Sequence, residues 1–273
     1  MREVLEAALR ADEAGEPAAL VTVVSTEGST PRKAGAKMVV FADGRSVGTI
    51  GGGCVEAEVV RRAQRAIEER AVTTTAYELT PDGEGGYGSA CGGRMHLLIE
   101  PIEGRPTLCL FGAGHVAQPL ARMAKACGFR VEVADDRPLF ASPERFPDAD
   151  LVLVEDFASA ARSLSLGRNA YAVVVTRGHK GDLDALRSVL GKGLRFVGLL
   201  GSKPKLLHVL AALEEAGLSP EDVAQVHCPV GLDIGAETPE EIAVSILAEM
   251  ITVRRGKGQR REVPALSRAG VAR

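Results

Sequence analysis

The sequence predicts an α/β protein in which a small N-terminal α+β domain precedes a doubly wound parallel sheet. Three observations lead to this prediction. The chain has 273 residues, more than one compact core usually serves. Its first part combines helical apolar spacing with short strands and a hairpin signal. From Thr107 onward, continuous apolar strands alternate with helical segments, which is typical of a parallel sheet covered on both faces.

The first domain is predicted to span residues 1–104. Apolar residues near the start recur at helical spacing, and a second helix is predicted at 54–70. The predicted strands are residues 18–26, 37–41, 46–50, 72–80 and 95–100, with a glycine-rich loop at 81–93. Asp43-Gly44 joins two of these strands as a hairpin turn, because glycine tolerates the positive φ that such a turn needs.

The second domain is predicted to span residues 105–255, followed by a basic flexible tail at 256–273. Its predicted strands are residues 107–111, 130–134, 151–154, 172–175 and 196–200. Its predicted helices are residues 114–127, 157–164, 183–190 and 203–216. A last helix is predicted to begin at Thr238-Pro239, where Thr238 and Glu241 have the spacing of a capping box.

Composition excludes several classes of function. The formal net charge of −3 supplies no basic field for a nucleic acid. No apolar run approaches the length of a membrane span, and none follows Met1 as a signal peptide would, so we expect a cytoplasmic location. The five cysteines contain no C-x-x-C pair, which argues against a structural zinc site and favours free thiols.

A glycine-rich segment after the first strand of the second domain predicts a dinucleotide site. Residues 112–117 have the G-x-G-x-x-A form between a buried strand and a helix. Gly112 would make the tight turn, Gly114 and His115 would approach a pyrophosphate, and Ala117 would allow close packing. Asp135, at the end of the next strand, matches the acid that binds ribose hydroxyls and would favour NAD over NADP. The alternative is a Rossmann domain that has lost its ligand.

Two cysteines among glycines stand out in the first domain. Gly51, Gly52 and Gly53 lead into a helix whose first turn carries Cys54. A flexible backbone at a helix N-terminus can hold an anion and makes a thiol more reactive. Cys91 lies in a second glycine-rich loop, and two such thiols could bind sulfur or a soft metal. The alternatives are that Cys54 packs as a small apolar residue and that Cys91 has an ordinary loop role.

One further residue is a candidate for acid–base chemistry. His179 follows a strand of the parallel sheet, at the edge where such folds bind ligands. The alternative is a solvated loop histidine. Cys109 within a strand and Cys127 at a helix end are predicted to be packing residues.

Taken together, these segments resemble the XdhC/CoxI family, the xanthine dehydrogenase accessory proteins, over nearly the whole chain. The resemblance rests on residues 28–32, 50–56, 91–93, 111–117, 135–137, 176–179, 198–203 and 229–239. The last of these, Pro-Val-Gly-Leu-Asp-Ile-Gly-Ala-Glu-Thr-Pro, is highly specific.

The resemblance implies a helper in the maturation of molybdenum hydroxylases. Proteins of this kind are understood to bind the molybdenum cofactor (molybdopterin), to assist its sulfuration with a cysteine desulfurase, and to deliver it to the hydroxylase apoenzyme. Glycine-rich helix starts could hold the phosphate of that cofactor, and Cys54 or Cys91 could contact molybdenum or sulfur. A homodimer is compatible with such a carrier. The competing functions are an NAD-dependent oxidoreductase acting on a small substrate and a regulatory module that senses a nucleotide.

Overall fold

A computed structural model describes residues 1–79, 92–201, 209, 212–213, 215 and 217–256. These residues form two compact units, Met1–Arg105 and Pro106–Arg273. Among them, no helix combines the length and the apolar character needed to cross a membrane. The predicted fold class is confirmed, because the first unit is α+β and the second contains a parallel sheet with helices.

The first unit is an antiparallel sheet packed between two helices. Its elements are α1 (Arg2–Ala14), β1 (Ala18–Glu27), β2 (Lys37–Phe41), β3 (Ser46–Gly48), α2 (Gly53–Glu69), β4 (Thr73–Glu78) and β5 (Arg94–Ile102). The strand order is β3-β2-β1-β5-β4. Alternate residues of β2 face opposite sides, so Met38 and Val40 pack with α2 while Val39 packs with α1.

Strand β3 ends earlier than the sequence predicted. The prediction extended it to Ile50, but β3 stops at Gly48, which has a φ of 88°. A Cβ at this position would lie 2.7 Å from the carbonyl oxygen of Lys37. The chain therefore turns at Gly48, and the residues after it are free to form the loop that leads into α2.

The second unit is a six-stranded parallel sheet. Its elements are β6 (Thr107–Phe111), α3 (Ala117–Ala126), β7 (Arg130–Asp135), β8 (Leu151–Val154), α4 (Phe157–Ser163), β9 (Ala170–Val174), α5 (His179–Val189), β10 (Phe196–Leu199), α6 (Pro220–Val223), β11 (Val226–His227) and α7 (Pro239–Arg254). The strand order is β11-β10-β9-β6-β7-β8. Read from β8, this is the order 3-2-1-4-5-6 of a Rossmann domain. Strand β11 was not predicted from the sequence, and the helix predicted at 203–216 falls largely outside the described residues.

Both faces of the parallel sheet are covered. On β6, Leu108 and Leu110 pack with α3 and α7, whereas Cys109 and Phe111 pack with α4 and α5. Helix α7 begins with the predicted capping box, in which Thr238 accepts a hydrogen bond from the Glu241 N–H and Glu241 reaches back. Residues 136–150 connect β7 to β8 without a helix. This connection lies at the edge where the strands end, and it contributes to the site described next.

Candidate functional site

The glycine loop of the second unit lies between β6 and α3. Gly112 has a φ of 109°, and a Cβ there would lie 2.6 Å from the carbonyl oxygen of Val175. Gly112 is therefore required by the fold itself. Gly114 differs, because a Cβ there would meet nothing within 4 Å. The space in front of Gly114 is open, as the approach of a pyrophosphate requires.

Helix α3 begins at Ala117 and not at Gly114, because residues 114–116 form a turn. Ala117 is buried, in agreement with the close packing expected there, and His115 is exposed. No side chain caps the start of α3. Its first N–H groups and positive dipole end therefore face the open space beside the loop.

Asp135 lies at the end of β7, directly beside the glycine loop, with an exposed fraction of 1%. Its Oδ2 accepts hydrogen bonds from the Ala113 N–H at 2.8 Å and from Arg137 Nη2 at 2.8 Å. Its Oδ1 accepts from Arg137 Nε at 2.7 Å and from the Arg137 N–H at 3.0 Å. A carboxylate offers about four acceptor positions, so these donors fill it. The predicted contact to a ribose requires one of them to move, and it stays a prediction.

The charge of Asp135 is retained despite its burial. Burial raises the pKa of this carboxyl, but the hydrogen bonds from Arg137 and Ala113 outweigh that effect and leave the pKa below its ordinary value. The same contact raises the pKa of Arg137. Asp135 and Arg137 therefore form a closed ion pair that holds the glycine loop through Ala113.

A cleft of about 520 Å³ opens at the same edge of the sheet. It is lined by residues 135–137 after β7, by residues 156–158 at the start of α4, and by residues 176–181 after β9. Ligands of Rossmann domains bind outside the carboxyl ends of the strands, where the strand order reverses. In this sheet that point lies between β6 and β9, and the cleft is next to it.

His179 lines this cleft as the first residue of α5, and it is exposed. A hydrogen bond ties the first turn of α5 to the end of β9. In this bond Thr176 Oγ1 donates to Oδ1 of the buried Asp182 at 2.7 Å. Across the cleft, Arg177 Nη2 lies 3.0 Å from Asp136 Oδ2 in an exposed ion pair. The role of His179 in acid–base chemistry stays a prediction.

In the first unit, a side chain of α2 occupies N–H groups of the glycine loop that precedes this helix. Glu56 lies in the first turn of α2, and its Oε2 accepts hydrogen bonds from Thr49 Oγ1 at 2.6 Å, from the Gly52 N–H at 2.9 Å and from the Ile50 N–H at 3.3 Å. The Gly51 N–H donates to Thr49 Oγ1 at 3.1 Å. Part of the predicted anion cradle is thus occupied by a carboxylate of the chain itself.

Cys54 lies in the first turn of α2 and is exposed. The alternative that it packs as a small apolar residue is therefore wrong. A Cβ at Gly52 or at Gly53 would meet nothing within 4 Å, so the space beside these two glycines is open. Cys91 lies outside the described residues, and its meeting with Cys54 stays a prediction.

Two other cysteines were predicted to be packing residues. Cys109 is buried in β6 as predicted. Cys127 is exposed, so the prediction that it packs was wrong: it directly follows Ala126, the last residue of α3, at the surface.

Three loops of the first unit are in contact at one end of its sheet. A Cβ at Gly51 would overlap the ring of Pro31, and a Cβ at Gly93 would overlap the backbone of Ser29. These loops contain the first-domain segments on which the resemblance rests. The segments are separate in the sequence, and the structure places them next to each other.

Two arginines of the second unit were not among the predicted site residues. Arg137 directly follows Asp135-Asp136, and its spacing from Asp135 was the available signal. Arg145 lies far along the β7–β8 connection, yet its Nη2 lies 3.4 Å from the Ala113 carbonyl oxygen of the glycine loop. No local pattern in the sequence indicates that contact.

Comparison with known proteins agrees with this architecture. Residues 11–78 match the XdhC and CoxI family, and residues 108–250 match the XdhC Rossmann domain. The chain is 38% identical over 248 residues to the uncharacterized protein YqeB of Escherichia coli, covering 90% of this chain and 45% of that protein. The chain thus spans less than half the length of that relative.

Two further relatives are similar over most of their length. A probable xanthine dehydrogenase subunit from Bacillus subtilis is 28% identical, with 88% of this chain and 94% of that protein covered. The molybdenum cofactor insertion chaperone PaoD of Escherichia coli is 26% identical, with 93% and 88% covered.

A solved structure is similar to this chain over nearly its whole length. The crystal structure of a xanthine dehydrogenase from Bacillus halodurans superimposes with a TM-score of 0.51 at 25% sequence identity, covering 96% of this chain and 98% of that one. The Rossmann match covers more than half of the chain, and the first-domain match covers most of the rest of its folded part. This chain belongs to the XdhC and CoxI family.

Proposed function

We propose that this chain is an accessory protein for a xanthine dehydrogenase-type molybdenum hydroxylase. In this role it binds the molybdenum cofactor, assists its sulfuration by a cysteine desulfurase and delivers it to the apoenzyme. The observation that carries the proposal is the exposed Cys54 thiol, which follows two glycines with open space beside them, Gly52 and Gly53. It occurs in a chain that is similar to a molybdenum cofactor insertion chaperone.

The Cys54 thiol of the first unit is a suitable ligand for the molybdenum cofactor. A thiolate is a soft ligand that suits molybdenum and sulfur chemistry better than a hard oxygen donor does. Cys54 is exposed, and the glycines before it leave room for a bulky group. Glu56 fixes the loop, so the thiol is presented from a defined backbone. We assign the contact to molybdenum or sulfur to Cys54, with Cys91 as the second candidate thiol.

We propose a second, separate role for the Rossmann unit. The glycine loop with Gly112, Gly114, His115 and Ala117 binds a nucleotide, which is either the dinucleotide portion of the cofactor or NAD. Support comes from the open space at Gly114, the uncapped start of α3 and the cleft beside β7. We further propose a cytoplasmic homodimer as the working form, in keeping with a reduced thiol at the surface.

The test is titration of the purified full chain with molybdenum cofactor released from a donor enzyme. We expect stoichiometric binding by the wild type and weaker retention by Cys54→Ser. Cys127→Ser is the matched control, because Cys127 is also exposed but lies in the other unit. Absence of binding by the wild type would contradict the proposal. If Cys54→Ser retains the cofactor as well as the wild type does, the contact to molybdenum or sulfur is assigned to Cys91 instead. The variant Cys91→Ser tests that assignment in parallel.

A second function is favoured by one observation. The strand order of a Rossmann domain and the exposed His179 in the adjacent cleft suit an NAD-dependent oxidoreductase. In that case His179→Gln would abolish turnover of NADH with a small carbonyl substrate, and molybdenum cofactor would not bind. Absence of NADH oxidation with a panel of aldehydes and ketones, together with cofactor binding, would remove this alternative.

A further inference from the structure

Arg145 lies against the glycine loop although it is remote from that loop in the chain. Its Nη2 is 3.4 Å from the Ala113 carbonyl oxygen. Its guanidinium lies 5.0 Å from the centre of the Phe140 ring, and that of Arg137 lies 3.7 Å from the same ring. The β7–β8 connection therefore brings the Arg145 guanidinium to the glycine loop, where the phosphate of a bound nucleotide is expected.

The two arginines differ in their partners. Arg137 makes three hydrogen bonds to Asp135, including the one from its backbone. Arg145 forms no ion pair with any carboxylate among the described residues, and its Nε is buried without a hydrogen-bond partner. Its contact to Ala113 is long for a hydrogen bond and contributes little. Arg145 is thus a partly buried cation whose hydrogen-bonding capacity is largely unused.

The surroundings of Arg145 raise the electrostatic potential further. The uncapped N-terminus of α3 has a positive dipole end close to Ala113, where an additional cation is unfavourable. The charge of Asp135 is already matched by Arg137. A cation held in this position without a counter-charge is destabilising for the folded chain unless an anion binds. Such local conflicts are expected at functional sites.

We propose that Arg145 binds the diphosphate of a nucleotide at the glycine loop, and that the ligand class of this site is a nucleoside diphosphate or a dinucleotide containing one. The inference rests on the nucleotide site proposed above and adds a residue to it. The planar fork of the guanidinium matches two phosphate oxygens, the start of α3 supplies N–H donors, and Gly114 leaves the space between them. The nucleoside then extends towards the cleft beside β7.

The role of Asp135 changes in this arrangement. Asp135 positions the loop through the Ala113 N–H, and its hydrogen bonds with Arg137 occupy that guanidinium. Arg145, and not Asp135, is then the side chain that recognises the charged part of the ligand. This predicts that affinity depends on the diphosphate much more than on the ribose hydroxyls.

The test compares ADP with adenosine by isothermal titration calorimetry on the full chain. We expect Arg145→Ala to weaken ADP binding by about 10- to 100-fold, the usual effect of losing hydrogen bonds to a charged group. Adenosine binding should not change, and Arg145→Lys should give an intermediate affinity for ADP. Arg122→Ala is the control, because Arg122 is exposed on α3. Melting of the ligand-free Arg145→Ala variant should occur at or above the wild-type temperature.

Three results would overturn the proposal. The first is unchanged ADP affinity in Arg145→Ala. The second is an equal loss of ADP and adenosine binding, which would make Arg145 merely structural. The third is that the wild type binds no ADP. None of these depends on molybdenum cofactor, so the titration with Cys54→Ser remains an independent test of the accessory function.

Discussion

Each compact unit has a glycine-rich turn at the start of a helix, and the two turns use carboxylates in opposite ways. In the first unit, Glu56 belongs to the helix and binds the N–H of Gly52 directly. In the second, Asp135 comes from a neighbouring strand, binds the N–H of Ala113 and is matched by Arg137. Among the residues that the structure describes, the carboxylate of the first turn has no ion-pair partner, whereas that of the second is paired with Arg137.

This difference separates two kinds of ligand chemistry. A carboxylate in the first helical turn weakens binding of a second anion there, and what the first turn presents instead is the Cys54 thiol. In the second turn, the charge of Asp135 is balanced by Arg137, and Arg145 lies beside the turn. This arrangement favours the binding of a phosphate. Similar glycine patterns thus support a soft-ligand site in one unit and an anion site in the other.

The largest expected effect on stability comes from replacing Gly112, the glycine that the fold of the second turn requires. Gly112→Ala should destabilise the fold by at least about 4 kcal/mol, because it combines a positive φ with overlap of the Val175 carbonyl. Gly114→Ala is the matched control and should change stability by less than about 0.5 kcal/mol while weakening ADP binding. Urea unfolding followed by circular dichroism measures both. Equal stability losses would mean that Gly114 is also structural.

Asp135→Asn should lower the free energy of unfolding by about 3 kcal/mol at pH 7, because Arg137 would lose its partner. The folded-state pKa of Asp135 lies below its ordinary value, so this stabilisation is present above about pH 4 and is lost as the pH falls through the folded-state pKa. The difference between wild type and variant should therefore shrink in acid. Asp136→Asn breaks an exposed pair with Arg177 and a long contact of 3.9 Å to Arg137, and it should cost less than about 1 kcal/mol.

More of the fold could be predicted from the sequence for the second unit than for the first. Most elements of the second unit follow from continuous apolar strands and a glycine turn, which are local signals; β11, only two residues long, gives no such signal. The antiparallel sheet of the first unit depends on the pairing of β1 with β5, two strands far apart in the chain, and no local pattern indicates that pairing. Its strands were predicted one by one, and their order was not.

The sites show the same limit. Gly112, Gly114 and Asp135 were found from their spacing, because that spacing reflects backbone geometry shared by Rossmann domains. The hydrogen bonds that Arg137 makes to Asp135 were not foreseen, although the residues are close in sequence. Arg145 could not be foreseen at all, since its position depends on how a connection without a helix folds back. The exposure of Cys54 was left open by its sequence context and needed the structure.

In the first turn, Glu56→Ala should lower the free energy of unfolding by roughly 2 kcal/mol, because the N–H groups of Gly52 and Ile50 lose their acceptor. Glu68→Ala, an exposed position on the same helix, should leave stability within about 0.5 kcal/mol of the wild type. Thermal unfolding of both variants measures this. A loss no greater for Glu56→Ala than for Glu68→Ala would show that the loop does not need its carboxylate.

The smallest effect on stability is expected at Cys54. Cys54→Ser should change the free energy of unfolding by less than about 0.5 kcal/mol, because the side chain is exposed. The thiol should nevertheless react with iodoacetamide in the folded chain. Cys109 should react only after unfolding, since burial, with a further contribution from Glu132, raises the pKa of its thiol. Mass spectrometry of the labelled peptides distinguishes the two, and protection of Cys54 would contradict its exposure.

The place of β5 between β1 and β4 in the first sheet has a consequence for the newly synthesised chain. On the ribosome, β1, β2 and β3 can pair as soon as they emerge, but β1 keeps one open edge until residues 94–102 have been translated. An open strand edge is a template for pairing with other chains. The nascent protein is therefore most prone to aggregate before β5 emerges. Once β5 pairs with both β1 and β4, the open edge of β1 is covered.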